Sequence, residues 1–299
     1  MNNQLPAALY VVATPLGNLA DLSPRAREVL ASVPYVAAED TRHSAPLLRH
    51  CNSRARCLAA HQHNEAQAAQ RVVGLLARQQ AVALISDAGT PAISDPGSRI
   101  VAQARAAGYP VIPIPGPCAA TAALSASGIV AAPFFFCGFL PAKSGERRAK
   151  LQACANLTCT LVFYESPHRL NAMLGDCIEH LGGERRALLA REISKLFESL
   201  HHDRLEALPA WLAADPTHQK GEFVLVVEAD PSGESAKQQE AREQEALRTL
   251  RPLIDEGLPI KQCANLATQI TGGSKKAMYA LALSLKNSRA ALQQQVPEK

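Results

Sequence analysis

The sequence lacks the short motifs that mark many nucleotide-handling and hydrolytic enzymes. No GxxxxGK[ST] is present, which excludes a P-loop, and no GxGxxG, which excludes the Rossmann dinucleotide fingerprint. The absence of GxSxG excludes a hydrolase nucleophile elbow. Aromatic residues are scarce, 13 of 299, too few for a protein that binds single strands by stacking bases. The 8 cysteines are scattered without a CxxC and the 9 histidines are dispersed, so neither a disulfide framework nor a structural zinc site is indicated. His61 and His63 share a face if the segment is extended, but no third ligand accompanies them, and no metal is expected. The opening MNNQLPAALYVVAT has no basic stretch before an apolar one, so no secretory signal is expected and the location is expected to be cytoplasmic. Ala106–Ala142 carries no charge, but Pro110, Pro113, Pro115, Pro117, Pro133 and Pro141 interrupt it, which is incompatible with a membrane helix.

What is present is a large apolar share, 47%, on a 299-residue chain, enough for two domains or one with an appendage. The net charge of +4 is unevenly placed. Residues 248–299 hold 8 basic side chains (Arg248, Arg251, Lys261, Lys275, Lys276, Lys286, Arg289, Lys299) against 3 acidic ones, while residues 1–247 hold 23 against 24. Such asymmetry suggests a separate module that meets something anionic, although a solvated helical face has the same composition.

Short apolar runs alternate with helical stretches: strands at 9–13, 35–38, 81–86 and 111–114, helices at 23–32, 65–78, 98–107 and 119–127. Continuous apolar strands between helices predict a largely parallel α/β sheet. A linker-like stretch at 141–148 leads to a second α/β unit, with strands at 160–164, 187–190 and 222–228 and helices at 167–180 and 205–214. The polar segment 230–241 reads as a linker, and 260–270, TGGS and 275–286 as helix, tight turn, helix. The expected divisions are 1–118, 119–230, a linker 231–247, and a basic helical module 248–299.

In α/β sheets ligands bind beyond the carboxyl ends of strands. The loops there are TPLGNL after the first strand, EDTRH after the second, SDAGTPAISDPG after the third and PGPCAA after the fourth. Each alone is compatible with ordinary turn chemistry; four in succession, rich in glycine, proline and small residues, point to a ligand lying against backbone. In the second half, carboxylate and cation sit together at strand ends: Glu165 with Arg169, Arg191 with Glu192, Lys220 with Glu222.

Nine segments in order carry a resemblance: VATPLGNLADLSPRA, AAEDTRH, HQHNE, LISDAGTPAISDPG, PGPCAATAALSASG, FCGFLPAKSGERR, FYESPHRL, AREISKLFE and KGEFVLVVE. Together they resemble the bacterial 16S rRNA cytidine 2′-O-methyltransferases, a family within the tetrapyrrole methylase superfamily. The resemblance implies an α/β, two-domain tetrapyrrole-methylase-like fold with a small C-terminal helix-turn-helix module. It implies S-adenosyl-L-methionine held between the two domains, a homodimer, and 16S rRNA in the 30S subunit as partner. Carried over by motif, it implies cofactor contacts at Leu16, Asp87, Thr90, Cys118, Ala119, Tyr164 and Gly221. The sequence departs from the family pattern at Cys118, where a small hydroxyl residue is frequent, and at Ala13, where glycine is.

For transfer to a ribose hydroxyl, Glu39, Asp40, Glu165, Glu192 and Lys195 are candidates to take the proton or steady the oxyanion, with Glu165 and Glu192 preferred and Lys195 kept beside them. Arg42, Lys143, Arg147, Arg148, Arg169, Arg191 and Lys220 are candidates to grip phosphate, with Lys143, Arg147 and Arg148 expected on a flexible stretch and Lys275 and Lys276 on the basic module. Two other functions compete: a small-molecule methyltransferase of the same superfamily, for which a basic tail is unnecessary, and a helix-turn-helix regulator, which leaves the loops of residues 14–120 unexplained.

Overall fold

The computed structural model describes residues 5–130, 133–155, 157–229 and 236–293, with side chains for all of these except 236–242 and 287–293. Residues 231–235 of the expected linker, and the side chains of Arg289, Glu298 and Lys299, lie outside the described residues. The chain divides into two units, residues 1–152 with 159–229, and residues 153–158 with 230–299.

The first unit holds two five-stranded sheets. One is built from β1 (Leu9–Val12), β2 (Tyr35–Ala38), β3 (Arg56–Ala59), β4 (Val82–Ile85) and β5 (Val111–Ile114) in the order β3-β2-β4-β1-β5, all parallel. Its helices are α1 (Pro24–Ser32), α2 (Thr41–His50), α3 (Glu65–Ala77) and α4 (Ser98–Ala106). Ser23 caps α1 by accepting the Ala26 N–H at 3.1 Å, with Pro24 at the first helical position, where its missing N–H costs nothing. Alternate strand residues serve two cores. Tyr10, Val12, Val36, Ala83 and Ile85 pack with Leu30 of α1 and Leu47 of α2; Leu9, Ala37, Val82 and Leu84 pack with Val72 and Leu76 of α3 and Ile100 of α4. Both faces of the sheet are covered, which is why its strands read as continuous apolar runs.

The second sheet, β6 (Phe134–Phe139), β7 (Thr160–Glu165), β8 (Arg186–Arg191), β9 (Ser199–Arg204) and β10 (Phe223–Val227), has the order β6-β7-β10-β8-β9. Only β6 and β7 run parallel; the other pairs are antiparallel. One face packs on α5 (Ala119–Ala126) through Val162, Leu188, Val224 and Val226. Leu161, Phe163 and Leu189 on the other face are fully buried, on the side where α7 (Pro167–Leu181) meets β7; α8 (Leu208–Ala214) packs on α7 in turn.

The stretch expected to be flexible at 141–148 is instead helical from Ser144 onward, where α6 (Ser144–Ala155) begins. The guanidinium of Arg147 is buried, donating from Nε to Asp176 at 2.6 Å and from Nη1 to the Ala142 carbonyl at 3.2 Å. That pair fixes the helix to α7 where the polar sequence suggested a loose segment.

The second unit contains α9 (Ala236–Asp255), α10 (Ile260–Thr271) and α11 (Lys275–Gln293) around a small core of Ala246, Leu250, Cys263, Ala264, Ala267, Met278 and Ala282. The helix-turn-helix outline is present, with Gly272 in the left-handed conformation at φ +73° ending α10. The expected linker at 231–247 is helical from Ala236 onward, because AKQQEAREQEALRTL consists of good helix formers without glycine or proline. Among the described residues no helix is long and apolar enough to cross a membrane.

Candidate active site

The loops at the carboxyl edge of the first sheet face the ends of β6, β7, β8 and β10 across a cavity of about 480 Å³. Hydrogen bonds fix these loops to one another. Thr14 and Gly89 exchange backbone hydrogen bonds at 2.8 and 3.1 Å, joining TPLGNL to SDAGT. Gly89 has φ +83°, and a Cβ there would stand 3.3 Å from Leu16 Cδ2 on the cavity wall, so the turn requires glycine. The Thr90 hydroxyl donates to the Pro117 carbonyl at 3.0 Å, joining SDAGT to PGPCAA. The Tyr164 hydroxyl accepts the Ala120 N–H at 2.9 Å, and its ring meets Phe136 and Phe139 edge-on. Burial, reinforced by the neighbouring Cys118 thiol, pushes the Tyr164 phenol far above its ordinary range and keeps it neutral.

Charge in the cavity is of one sign. Glu39, Asp87, Asp95, Glu165 and Glu222 line it, and among the described residues no lysine, arginine or histidine does, although Arg169 pairs with Glu165 at 3.2 Å and Lys195 with Glu222 at 3.0 Å from outside the lining. Burial raises Glu39 against the opposing hydrogen bond from the Asp87 N–H. Burial, then the charge of Glu39, pushes Asp95 up to about 6. Asp87 accepts the Asp40 N–H at 3.1 Å. A chamber of this kind, apolar and backbone-lined with a carboxylate wall, suits a compact ligand that carries positive charge and repels phosphate.

Six of the seven residues expected to touch a cofactor, Leu16, Asp87, Thr90, Cys118, Ala119 and Tyr164, line this one cavity. Gly221 directly precedes the lining residue Glu222; it has φ +102°, and a Cβ there would lie 2.5 Å from Glu192 Cγ. The preferred proton acceptors are held differently from what the sequence suggests. Glu165 lines the cavity, but its side chain is 1% exposed, accepts the Ser166 N–H at 2.8 Å and pairs with Arg169 at 3.2 Å. Glu192 and Lys195 are not among the lining residues. Lys195 bridges Glu192 at 2.8 Å and Glu222 at 3.0 Å, and its side chain leaves Gly17 no room for a Cβ. Burial opposes ionisation of Glu192, but the hydrogen bonds from Lys195 and the Glu222 N–H outweigh it and hold its carboxyl low.

Of the candidate phosphate ligands, Arg42, Lys143, Arg148, Lys220, Lys275 and Lys276 are exposed. Arg147 and Arg191 are not: the first is bound to Asp176, and the second donates to the carbonyls of Lys220 at 2.7 Å and Phe197 at 2.9 Å. Arg169 donates to the Leu140 carbonyl and is committed to Glu165. Sequence reasoning missed Asp95 and Phe139. Asp95 sits in the SDPG half of a loop whose first carboxylate, Asp87, drew the attention; Phe139 ends an apolar strand with nothing to distinguish it.

A second cavity, about 430 Å³, opens between TPLGNL and the start of α2 and meets the first at Asp87, which lines both. Its walls include Thr14, Leu19, Arg42, His43, Ser44 and Leu47.

A family model for tetrapyrrole (corrin/porphyrin) methylases matches residues 8–209, and one for the RsmI C-terminal HTH domain matches residues 240–286. Ribosomal RNA small subunit methyltransferase I of Pseudomonas aeruginosa is 50% identical over 277 residues, 92% of this chain and 96% of that protein. The protein of the same name from Vibrio cholerae is 48% identical over 271 residues, 91% of this chain and 92% of its own length. Among solved structures, the methyltransferase CobJ superimposes with a TM-score of 0.56 at 18% identity, covering 74% of this chain and 94% of its own. Uroporphyrin-III C-methyltransferase from Thermus thermophilus, complexed with S-adenosylhomocysteine, does so with a TM-score of 0.50 at 20% identity, covering 73% and 96%. These two likenesses show the fold.

Proposed function

The chain belongs to the ribosomal RNA small subunit methyltransferase I family of tetrapyrrole methylases, and on that premise we propose that it is a 16S rRNA (cytidine-2′-O)-methyltransferase acting on the small ribosomal subunit. It is an S-adenosyl-L-methionine-dependent rRNA methyltransferase. The observation that carries it is the cavity whose wall holds Leu16, Asp87, Thr90, Cys118, Ala119 and Tyr164 together with an all-acidic set of charges.

The residues present fit the cofactor. The Gly89 turn gives it backbone to lie against, and Asp87 is placed to hold an amine or ribose hydroxyl. The carboxylates favour a sulfonium, whose positive charge is lost on transfer. When bound, S-adenosylmethionine would supply an activated methyl group and leave as S-adenosylhomocysteine, and a carboxylate of that wall would take the proton released by the ribose oxygen. Alignment of the two reactants supplies on the order of 7–11 kcal/mol where the geometry is right. Glu165, locked by Arg169 and Ser166, keeps the wall in place.

RNA meets the exposed cations. Arg42, Lys143, Arg148 and Lys220 belong to the catalytic unit, and Lys275 and Lys276 begin α11 of the basic module. Leu196 and Phe197, between β8 and β9, are 90% and 67% exposed, which supports a homodimer in which a second copy covers them. The reading is tested by incubating the purified protein with methyl-labelled S-adenosylmethionine and 30S subunits. 2′-O-methylcytidine among the nucleosides of the recovered 16S rRNA is the expected product; label in another nucleoside or none contradicts the reading.

A further inference from the structure

Five carboxylates line the cofactor cavity, and they are not equally free to take a proton. Glu165 is held by Arg169 at 3.2 Å and by the Ser166 N–H at 2.8 Å. Glu222 is paired with Lys195 at 3.0 Å. Asp87 accepts the Asp40 N–H at 3.1 Å, and Glu39 faces the Asp87 N–H at 3.5 Å. Asp95 is placed differently. The Ser86 hydroxyl bonds it, and the charges of Glu39, Asp87 and Glu222 that act on it all carry its own sign. On the β7 side it faces the Tyr164 phenol, which its charge helps to keep neutral. Among the described residues no cation pairs with it.

Asp95 also stands where a substrate arriving from solvent meets the wall. It belongs to the loop between β4 and α4, in which Ile93 and Ser94 are exposed. Ile93 is on the cavity lining and 40% exposed, so this part of the loop is the rim. The rim is fixed. Ala92 and Ser94 are left-handed, at φ +67° and +64°, conformations that persist in such residues only where the surroundings impose them. The Ala92 N–H donates to the Pro96 carbonyl at 3.3 Å. The buried Glu65 carboxylate accepts the N–H groups of Gly97 at 2.8 Å and Arg99 at 2.9 Å. On the other side a Cβ on Gly138 of β6 would stand 2.7 Å from Ser94 Oγ, so the loop lies close against the second sheet.

We propose that Asp95 is the carboxylate that takes the proton of the ribose hydroxyl during methyl transfer. The ribose oxygen gains the methyl carbon as the methyl–sulfur bond breaks, sulfur keeps that electron pair, and the hydroxyl proton goes to an Asp95 oxygen and from there to water. Charge favours this order of events. A sulfonium beside Asp95 holds it ionised while the reactants assemble, and loss of that cation raises its proton affinity in the same step. The proton replaces the charge that leaves, so the net charge of the chamber does not change. Asp95 titrates at about 6 in the free protein, low enough to be ionised at neutral pH and high enough to accept a proton there. The inference rests on the reading of the protein as an rRNA ribose methyltransferase and adds to it the residue that completes the transfer.

The test uses the full-length enzyme, 30S subunits from cells lacking it, and single turnovers at saturating S-adenosylmethionine, which separate proton transfer from cofactor binding. Asp95→Asn should lower the rate at neutral pH by about 10²–10⁴-fold. The wild-type rate should fall as the pH drops below about 6, and Asp95→Asn should lose that limb. Glu39→Gln, which removes a charge that raises Asp95, should keep the limb and move it to lower pH. Calorimetry without RNA, in buffers of different ionisation enthalpy, counts protons. Near pH 6, S-adenosylmethionine should displace more protons from the wild type than S-adenosylhomocysteine does, and the difference should shrink in Asp95→Asn. Should Asp95→Asn fold poorly, equal proton release with the two ligands in the wild type overturns the assignment. A wild-type rate in a folded Asp95→Asn overturns the role of Asp95 alone. Wild-type enzyme that forms no 2′-O-methylcytidine overturns the functional reading, and the role of Asp95 with it.

Discussion

The hydroxyl of Tyr164 accepts the backbone N–H of Ala120 at 2.9 Å. Through this bond the end of β7, in the second sheet, holds the first turn of α5, which follows the last loop of the first sheet. Both residues are at or beside the cofactor wall. Tyr164→Phe keeps the ring and its contacts with Phe136 and Phe139 but leaves the buried Ala120 N–H unpaired. The expected cost is about 1–3 kcal/mol. It should appear both as lower stability and as weaker S-adenosylmethionine binding by calorimetry. Unchanged cofactor affinity would show that the bond serves the fold alone.

Asp95 makes the cavity sensitive to pH. Its carboxyl is pushed up to about 6, first by burial and then by the charge of Glu39. A carboxyl raised in the folded state favours folding most at low pH, and that contribution is lost as the pH rises through about 6. Asp95→Asn should therefore raise the melting temperature of the free protein at pH about 8, and the gain should vanish near pH 4, where both side chains are neutral.

A bound cation has the opposite preference, since it favours the carboxylate. Affinity for S-adenosylmethionine should fall as the pH drops through about 6, and Asp95→Asn should flatten that profile. S-adenosylhomocysteine, which has no sulfonium charge, should show a shallower dependence in the wild type. Calorimetric titrations across this range measure all three, and an equally steep profile in Asp95→Asn contradicts the assignment.

Lys143 and Arg147 lie four residues apart and should respond in opposite ways. Arg147 is buried against Asp176, and removing one member of a buried pair costs about 3–5 kcal/mol; because Arg148 also donates to Asp176 at 2.9 Å, the low end is expected for Arg147→Ala. Lys143 is 83% exposed and, among the described residues, paired only with Glu146, so Lys143→Ala should leave denaturant midpoints unchanged and weaken RNA binding. Equal effects of the two on urea unfolding would contradict the placement of α6.

Lys275 and Lys276 are both exposed at the start of α11. If each meets phosphate, replacing both with alanine should reduce the slope of log affinity against log salt by about 2. Cofactor affinity should not change. A slope identical to the wild type in filter-binding titrations would remove the basic module from the RNA interface.

Much of this site can be read from the sequence because ligand-facing loops follow buried strands. β1, β4 and β5 are short apolar runs, and the first residues beyond them, with the family resemblance, pointed to Leu16, Asp87, Thr90, Cys118 and Ala119. Elements at sheet edges were harder. β3 and β9 are largely exposed, so RCLA and SLHHDR carry no period-two apolar signal, and α2 contains Pro46 in its middle. Charge misled where pairing is tertiary: Arg147 and Arg191 look like surface cations until Asp176 and the Lys220 and Phe197 carbonyls are seen to hold them.

The proposed reaction transfers a methyl group to the 2′-oxygen of a cytidine in 16S rRNA. Nucleoside mass spectrometry of 16S rRNA from cells with and without this protein measures it most directly. 2′-O-methylcytidine should be lost in its absence and return when the gene is supplied again. A level of 2′-O-methylcytidine that does not change between the two strains would contradict it.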